Sequence, residues 1–293
     1  MTLEDARRQT RALATSTYEN FVVASWLLPK RYRQPFYDIY AYCRTADDIA
    51  DESPTAEAAL EGLGDFRRRV ATIFGKRPGK SHEDDESNPI FVALAATIDE
   101  FNLPREPFED LLHAFEQDQT VHRYDSADDL EDYCAHSANP VGRMVLGLAD
   151  ALTASNTVLS DEICTALQLA NFWQDMRRDY QRGRLYLPQD VMEASGFDET
   201  VIADGVASAS TPPCVRRAIA QQCEQTRSRF HQGIALADHV PAWLASDIRL
   251  FVHGGLATLD AIAATDFDVL ARRVEVRRRT QIRLMIAASI GWL

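Results

Sequence analysis

Helical spacing of apolar residues runs through almost the whole sequence and limits the fold more than any other feature. Within residues 36–49, for example, apolar side chains recur at mixed steps of three and four, at Tyr37, Ile39, Tyr40, Tyr42 and Cys43. No run alternates apolar and polar residues as a strand would. Proline and glycine lie mostly between the helical segments, where helices usually end. We therefore predict an all-α protein of about eight to ten helices that forms a single domain over residues 1–293.

The charge and the cysteine content exclude several classes of function. The net charge is −13, whereas binding to nucleic acid requires a dense positive surface, so we expect no nucleic acid as partner. The five cysteines are scattered without a Cys-x-x-Cys pair, which is typical of a reduced cytoplasmic protein. The stretch from Met1 to Thr17 lacks the apolar run of a signal peptide, and no segment reaches the roughly 20 apolar residues of a membrane span. We expect a cytoplasmic protein whose contact with the inner membrane is at most peripheral.

A first polar stripe lies on an otherwise apolar helical segment. Its residues follow one another at steps of four, three and four, which places them on one face of a helix: Tyr40, Arg44, Asp47 and Asp51. Asp48 lies beside them. Because the neighbouring residues are mostly apolar, we expect an embedded helix whose polar stripe faces neither lipid nor bulk water.

A second segment repeats this pattern at steps of three, four and four, with Gln168, Asn171, Asp175 and Asp179. Large apolar residues surround this stripe as well. Two carboxylates four residues apart destabilise a helix by roughly 0.2–0.5 kcal/mol, and burying them without partners costs far more. A bound cation would remove both penalties.

The ligands that these stripes offer are oxygen atoms, which suits a hard ion such as Mg²⁺ or Mn²⁺. Mg²⁺ retains water and shares phosphate oxygens, so a diphosphate bridged between two carboxylate helices is its natural partner. Arg44 can add charge-assisted hydrogen bonds to the same group. Either stripe alone could equally be a solvated helical face, but two such stripes in one helical chain favour a metal–diphosphate site.

At these residues the sequence resembles the squalene/phytoene synthase family. The two aspartate motifs of that family are similar to Asp47-Asp48-Ile49-Ala50-Asp51 and Asn171-Phe172-Trp173-Gln174-Asp175-Met176-Arg177-Arg178-Asp179. The similarity extends over nearly the whole chain and includes Leu27-Leu28-Pro29, Tyr40-Ala41-Tyr42-Cys43-Arg44, Tyr133, Val141-Gly142 and Gly183-Arg184-Leu185-Tyr186-Leu187-Pro188. This combination of motifs is specific to the family, whereas a lone pair of aspartates would be weak evidence for it.

The resemblance implies an all-α isoprenoid synthase bundle in which the two motifs face each other across a central cavity, and two or three Mg²⁺ ions grip the diphosphate of an isoprenoid substrate. The metal-binding residues that it implies are Asp47, Asp48, Asp51, Asn171, Asp175 and Asp179. Those expected to carry catalysis are Asp47, Asp51, Asp175, Asp179 and Arg44. The expected substrate-binding residues are Asn20, Phe21, Tyr40, Tyr133, Ser137, Gln168, Asn171, Tyr186 and Arg272. Aromatic residues that would line the cavity, or alternatively pack in an ordinary core, are Phe21, Trp26, Phe172, Trp173 and Tyr186.

Two segments depart from the family members that condense two prenyl diphosphates. Tyr18-Glu19-Asn20-Phe21 stands where those members have Ser-x-Ser-Phe, and a polar stretch around Ser137 replaces a more apolar one. Both departures resemble the hydroxysqualene synthase branch of bacterial hopanoid pathways, which converts presqualene diphosphate and water into hydroxysqualene and diphosphate. Polar groups near the cavity would hold that water, and the candidates are Asn20, His136, Ser137 and Asn139. His136 could equally be a surface or helix-end histidine.

Cofactor and partners follow from the same comparison of motifs. No glycine-rich phosphate loop follows a strand, so we expect no NADPH. The basic run Arg272, Arg273, Arg277, Arg278 and Arg279 could close over the diphosphate, face anionic lipid, or be a solvated surface. An apolar substrate favours peripheral contact with a membrane, and a partner enzyme would supply presqualene diphosphate.

Two alternative functions remain open. One is a prenyltransferase that condenses two prenyl diphosphates head to head, as a presqualene diphosphate, squalene or phytoene synthase does. The other, of a different class, is a non-catalytic assembly factor built on the same fold. Damaged acidic stripes would be expected in such a factor, whereas both stripes are present here.

Overall fold

The computed structural model describes residues 1–16, 28–75 and 88–289, which form α-helices and one 3₁₀-helix and contain no strand. The α-helices are α1 (Leu3–Ser16), α2 (Lys30–Glu52), α3 (Ala56–Gly75), α4 (Pro89–Phe101), α5 (Glu106–Gln117), α6 (Ala127–Ser137), α7 (Asn139–Leu148), α8 (Ala154–Gln181), α9 (Gln189–Ala194), α10 (Glu199–Ser208), α11 (Pro213–Gly233), α12 (Ala242–Ala263) and α13 (Arg278–Ser289). The 3₁₀-helix is Ile234–Asp238.

The prediction of an all-α protein is confirmed, but the predicted number of helices was too low. Thirteen α-helices lie in the described residues, against the expected eight to ten. Three of them, α7, α9 and α10, have ten residues or fewer. Helices of this length repeat the apolar spacing too few times to be counted from the sequence.

The helices pack in two compact units. The first unit comprises Met1–Thr120 and Pro140–Thr153. Within it α1 packs on α2 and α4, and α2 also packs on α3, α4 and α5. α2, which carries the first acidic stripe, is therefore the central helix of this unit.

A buried carboxylate fixes α2 against its neighbours. Asp38 has no exposed surface, and it accepts hydrogen bonds from Thr10 of α1 (2.6 Å), Gln34 (2.8 Å) and Thr97 of α4 (2.9 Å). Arg7 Nε lies 3.4 Å from the same carboxylate. Since a buried charge without such partners would be strongly unfavourable, these bonds specify how α1, α2 and α4 pack together.

The second unit comprises Val121–Asn139 and Ala154–Leu293 and is built around α8. α8 packs on α6, α11 and α12, and α12 also packs on α13. Trp173 of α8 is 1% exposed, and its indole Nε1 donates to Thr226 of α11 at 3.0 Å. Gly255 of α12 allows a close approach to α11, because a Cβ at this position would lie 2.1 Å from the ring of Phe230.

The single domain over residues 1–293 and the central cavity stay predictions. In the described part of the chain, no helix combines the length and the apolar character that a membrane crossing requires.

Candidate active site

The first acidic cluster lies on the C-terminal half of α2, and an arginine of the same helix pairs with two of its three carboxylates. Arg44 Nη1 is 3.3 Å from Asp47 Oδ2, and Arg44 Nη2 is 2.5 Å from Asp48 Oδ1. The side chains of Asp47 and Asp48 are 40% and 34% exposed, and Asp51 is exposed. These ion pairs join residues three and four apart, so their geometry follows from the helix alone.

Buried side chains hold this stretch of α2 in place. Tyr40 is 5% exposed and Tyr42 is fully buried, with its hydroxyl donating to the carbonyl oxygen of Phe108 at 2.6 Å. Burial, and after it the charge of Asp47, raises the pKa of the Cys43 thiol to about 12. α2 is thus an embedded helix, as its spacing predicts. The acidic residues of its stripe are nevertheless exposed to water, contrary to the expectation that the stripe is shielded.

The second acidic stripe lies on α8 and is more enclosed. The side chain of Asp175 is 17% exposed, Asp179 and Gln168 are partly buried, and Asn171 is exposed. The packed residues beside them include Phe172. α8 therefore presents this stripe at the edge of the apolar core of the second unit.

The carboxyl group of Asp179 has a raised pKa. Burial raises its pKa to about 6, and the charge of Asp175, one helical turn away, acts in the same direction. Arg178, Arg182 and Arg184 oppose the rise in pKa without cancelling it. A carboxylate in this position would be stabilised by a nearby cation.

Arg273 reaches Asp175 from a segment 98 residues later in the chain. Its Nε donates to Asp175 Oδ1 at 2.6 Å, and its Nη2 donates to Asp175 Oδ2 at 3.2 Å. Arg178 lies 3.7 Å from the same carboxylate. The sequence favours Arg272 of this basic run as a substrate contact, which stays a prediction, whereas the observed contact with the acidic stripe is made by its neighbour Arg273. A run of arginines does not reveal by its spacing which member will face α8.

The segment 270–274, which carries Arg273, docks on α8 through further hydrogen bonds. Gln174 Nε2 donates to the carbonyl oxygen of Val274 at 2.8 Å, and Arg177 donates to the carbonyl oxygens of Leu270 (2.5 Å) and Ala271 (3.2 Å). These side chains of α8 bind backbone carbonyl groups of the loop, which have no helical hydrogen-bond partner of their own. The second motif thus organises this loop as well as the acidic stripe.

Four aromatic side chains form a cluster beside the second stripe, here called the aromatic group: Tyr124, Tyr133, Phe172 and Tyr186. The rings of Phe172 and Tyr186 stack with centroids 3.7 Å apart, and Tyr133 lies 6.2 Å from Phe172 and 6.0 Å from Tyr186. Tyr124, 5.5 Å from Tyr133, is a member that sequence analysis missed, because it lies outside every recognised motif. Each ring of the stacked pair Phe172 and Tyr186 covers one face of the other, so only an outer face could attract a cation.

The segment that carries Tyr186 is held by an extended stretch before α6. Leu185 N donates to the carbonyl oxygen of His122 at 2.9 Å. Arg123 donates to the carbonyl oxygen of Gly183 at 2.6 Å and binds both carboxylate oxygens of Glu199 at 2.9 and 2.7 Å. These contacts keep Tyr186 in position against Phe172.

The polar residues predicted to hold water lie at the end of α6 and beyond it. His136 Nδ1 is 2.8 Å from the carbonyl oxygen of Asp132, and buried Asn139 accepts a hydrogen bond from Thr165 at 3.0 Å. The Ser137 hydroxyl is buried and, among the described residues, meets no hydrogen-bond partner. Asn20, Phe21 and Trp26 lie outside the described residues.

A cavity of about 430 Å³ lies elsewhere in the second unit and contains none of the predicted metal-binding residues. Its lining residues are Asp128, Glu131, Asp132, Ala135, Asn139, Asp161, Glu162, Thr165 and Arg229. Arg229 neutralises part of this charge through ion pairs with Glu131 and Glu162.

Residues 1–16, 28–75 and 88–289 contain no group of three or more histidine, cysteine, aspartate or glutamate side chains arranged as a metal centre. The two stripes nevertheless suit Mg²⁺, because this ion retains water and takes phosphate oxygens, so it needs only one or two carboxylates from the protein. The donors are all oxygens, and burial together with the charge of Asp175 raises the pKa of Asp179, a carboxylate that a nearby cation would stabilise in its charged form. The side chains present therefore fit the ion that the resemblance implies.

Comparison with known proteins decides the family. Residues 14–280 match the squalene/phytoene synthases. The chain belongs to the squalene/phytoene synthase family. A protein named hydroxysqualene synthase from Rhodopseudomonas palustris is 37% identical over 97% of this chain and 90% of its own length. One of the same name from Zymomonas mobilis subsp. mobilis is 34% identical over 94% of this chain and 88% of its own. The crystal structure of squalene synthase HpnC from Alicyclobacillus acidocaldarius is 38% identical, with a TM-score of 0.81 over 90% of this chain and 95% of that one.

Membership in the squalene/phytoene synthase family confirms the isoprenoid synthase fold and makes this chain an enzyme of isoprenoid biosynthesis. The family uses isoprenoid diphosphates and generally needs a divalent metal ion. The roles assigned to individual residues of the two stripes stay predictions.

Proposed function

We propose that this protein is a hydroxysqualene synthase, which ionises presqualene diphosphate and captures the resulting carbocation with water. The observation that carries the proposal is the similarity over nearly the whole chain to proteins of that name at 34 and 37% identity. The site agrees with it, since a pair of enclosed carboxylates on α8 suits a metal-bound diphosphate.

The carboxylates of the two stripes hold two or three Mg²⁺ ions in this proposal, through Asp47, Asp48, Asp51, Asn171, Asp175 and Asp179. When bound, Mg²⁺ supplies Lewis-acid stabilisation of the charge that develops on the departing diphosphate. Arg44 adds charge-assisted hydrogen bonds to that group. Residues that orient the diphosphate are Tyr40, Tyr133, Gln168 and Asn171, with Arg272 supplying positive charge.

The aromatic group stabilises the positive charge that remains on the hydrocarbon. Phe172 and Tyr186 offer ring faces, and a cation over such a face gains about 0.5–2 kcal/mol, more where water is excluded. Asn20 and Phe21, which lie outside the described residues, are assigned to substrate binding from the resemblance alone. No NADPH takes part, because water rather than hydride is the nucleophile.

A partner enzyme supplies presqualene diphosphate in this proposal, and the protein acts in the cytoplasm in peripheral contact with the inner membrane. The exposed arginines Arg277, Arg278 and Arg279 support that contact, since each basic residue near an anionic lipid surface contributes about 1 kcal/mol. The apolar product and substrate also favour a site close to lipid.

Product analysis tests the proposal. Purified protein with Mg²⁺ is incubated separately with presqualene diphosphate and with farnesyl diphosphate, and the lipids are identified by mass spectrometry. We expect hydroxysqualene from presqualene diphosphate and no product from farnesyl diphosphate alone. Consumption of farnesyl diphosphate alone would instead identify a condensing synthase. Turnover of neither substrate, with no binding of Mg²⁺, would identify a non-catalytic member of the family.

A further inference from the structure

The Ser137 hydroxyl differs from the other polar groups around the end of α6. His136 Nδ1 lies 2.8 Å from the backbone carbonyl of Asp132, and its ring therefore turns back on its own helix. Asn139 is 5% exposed, and its carbonyl oxygen accepts from Thr165 of α8 at 3.0 Å. Ser137 Oγ is buried and has no hydrogen-bond partner among the described residues.

A buried hydroxyl without a partner requires an explanation. Leaving such a group unsatisfied costs roughly 1–3 kcal/mol, and most buried polar side chains in folded proteins are paired. A serine hydroxyl can donate one hydrogen bond and accept two, so it can both hold a water molecule and orient the lone pairs of that water. Ser137 retains all of this capacity within the described part of the chain.

The face of α6 on which Ser137 lies is the face of the aromatic group. Ser137 follows Tyr133 by four residues, which places both on one side of the helix. Tyr133 packs against Phe172 and Tyr186 with ring centroids 6.2 and 6.0 Å away. The acidic cavity is lined by Asp128, Glu131, Asp132 and Ala135, which lie on the opposite face of the helix.

We propose that Ser137 Oγ holds the water molecule that captures the carbocation, an inference that rests on the proposed function. In the reaction, the bond between carbon and the diphosphate oxygen breaks and the diphosphate leaves with the electron pair. The cyclopropylcarbinyl cation rearranges to an allylic cation, and a lone pair of the water oxygen forms the new carbon–oxygen bond. The proton lost from that oxygen passes to the released diphosphate. Ser137 accepts a hydrogen bond from the water and thereby aims its lone pair.

Substitution of Ser137 tests this role by separating ionisation from water capture. Released diphosphate and the fraction of hydroxysqualene among the lipid products are both measured with presqualene diphosphate. In Ser137→Ala we expect diphosphate release within about twofold of the wild type, but a fall of about tenfold in the ratio of hydroxysqualene to alkene products, since one hydrogen bond is worth about 1–1.5 kcal/mol. Ser137→Thr restores the hydroxyl and should recover most of that ratio.

The outcomes distinguish the two proposals. An unchanged product ratio in Ser137→Ala would overturn the role of Ser137 while leaving the proposed function intact. An equal loss of hydroxysqualene and of diphosphate release in that variant would also overturn it, because a purely structural role would reduce both. Wild-type protein that forms no hydroxysqualene would overturn the proposed function and this inference together. The control is Ser160→Ala, which removes a buried hydroxyl from a different helix, α8. It should leave diphosphate release and the product ratio unchanged.

Discussion

The two acidic helices carry the same types of residue at similar spacing, but their charges are balanced in different ways. On α2, Arg44 lies within one turn of Asp47 and Asp48, whose side chains are 40% and 34% exposed. On α8, Asp175 is 17% exposed and is bound through both oxygens by Arg273, which is 98 residues away in the sequence. On α2 the ion pairs thus form within one helix and near water, whereas on α8 the pairing of Asp175 with Arg273 depends on the tertiary fold.

The difference indicates where a cation is needed most. Burial and the charge of Asp175 raise the pKa of Asp179 to about 6, even with three arginines nearby. The enclosed stripe on α8 therefore favours a bound cation more strongly than an exposed stripe, where water already screens each charge.

Loss of one carboxylate from the enclosed stripe should have the largest effect. Asp175→Asn keeps the shape of the side chain but removes the charge, so we expect turnover of presqualene diphosphate to fall by about 10³-fold or more. Thermal unfolding in Mg²⁺-free buffer should show that the variant still folds. Initial rates of diphosphate release measure the effect.

Asp161→Asn provides the matched control for this experiment. Asp161 lies on the same helix but lines the acidic cavity, so its replacement should leave turnover within about twofold. Normal turnover in Asp175→Asn at ordinary Mg²⁺ would remove the central role of the enclosed stripe.

The contrast between the helices also explains how much the sequence could predict. The α-helical class, the two stripes and the pairing of Arg44 with its neighbours follow from spacing along one helix. The contact of Arg273 with Asp175 and the membership of Tyr124 in the aromatic group depend on how distant segments pack, and no periodicity encodes that. The unpaired state of the Ser137 hydroxyl is likewise visible only once its surroundings are known.

The raised pKa of Asp179 should make metal binding depend on pH. Protons compete with the ion for this carboxylate, so binding of Mn²⁺, as a probe for Mg²⁺, should weaken by about tenfold between pH 7 and pH 5. Electron paramagnetic resonance of free Mn²⁺ measures the binding in substrate-free protein. In Asp179→Asn this dependence should largely disappear.

The same pKa shift determines the sign of the effect on stability. The pKa of Asp179 lies above its ordinary value of 3.8, so the fold favours the protonated form. The stability that this proton contributes is fully present below pH 3.8 and is lost as the pH rises through about 6. Asp179→Asn should therefore be more stable than the wild type at pH 7 in metal-free urea unfolding, but not at pH 3.5. If the wild type instead gained stability relative to the variant as the pH rose from 3.5 to 7, the raised pKa of Asp179 would be contradicted.

Removal of Arg273 should tighten metal binding at the enclosed stripe by a smaller factor. The guanidinium occupies both oxygens of Asp175, and an ion that binds there has to displace it. With an exposed ion pair worth up to about 1 kcal/mol, Arg273→Gln should lower the Kd for Mn²⁺ about fivefold in the absence of substrate. Arg277→Gln, in the same basic run, is the control and should have no such effect. Weaker binding in Arg273→Gln would show that this arginine supports the metal site rather than competing with it.

The smallest expected effect concerns the local ion pair on α2. A double-mutant cycle with Arg44→Gln and Asp48→Asn should give a coupling energy of about 0.3–0.5 kcal/mol in metal-free urea unfolding, as for other pairs four residues apart on a helix. The corresponding cycle with Arg273→Gln and Asp175→Asn should give about 1 kcal/mol, because the carboxylate is more enclosed and is bound through both oxygens. Equal coupling in the two cycles would mean that tertiary enclosure does not distinguish the stripes. A larger value on α8 would instead show that the tertiary fold strengthens the pairing of the enclosed carboxylate.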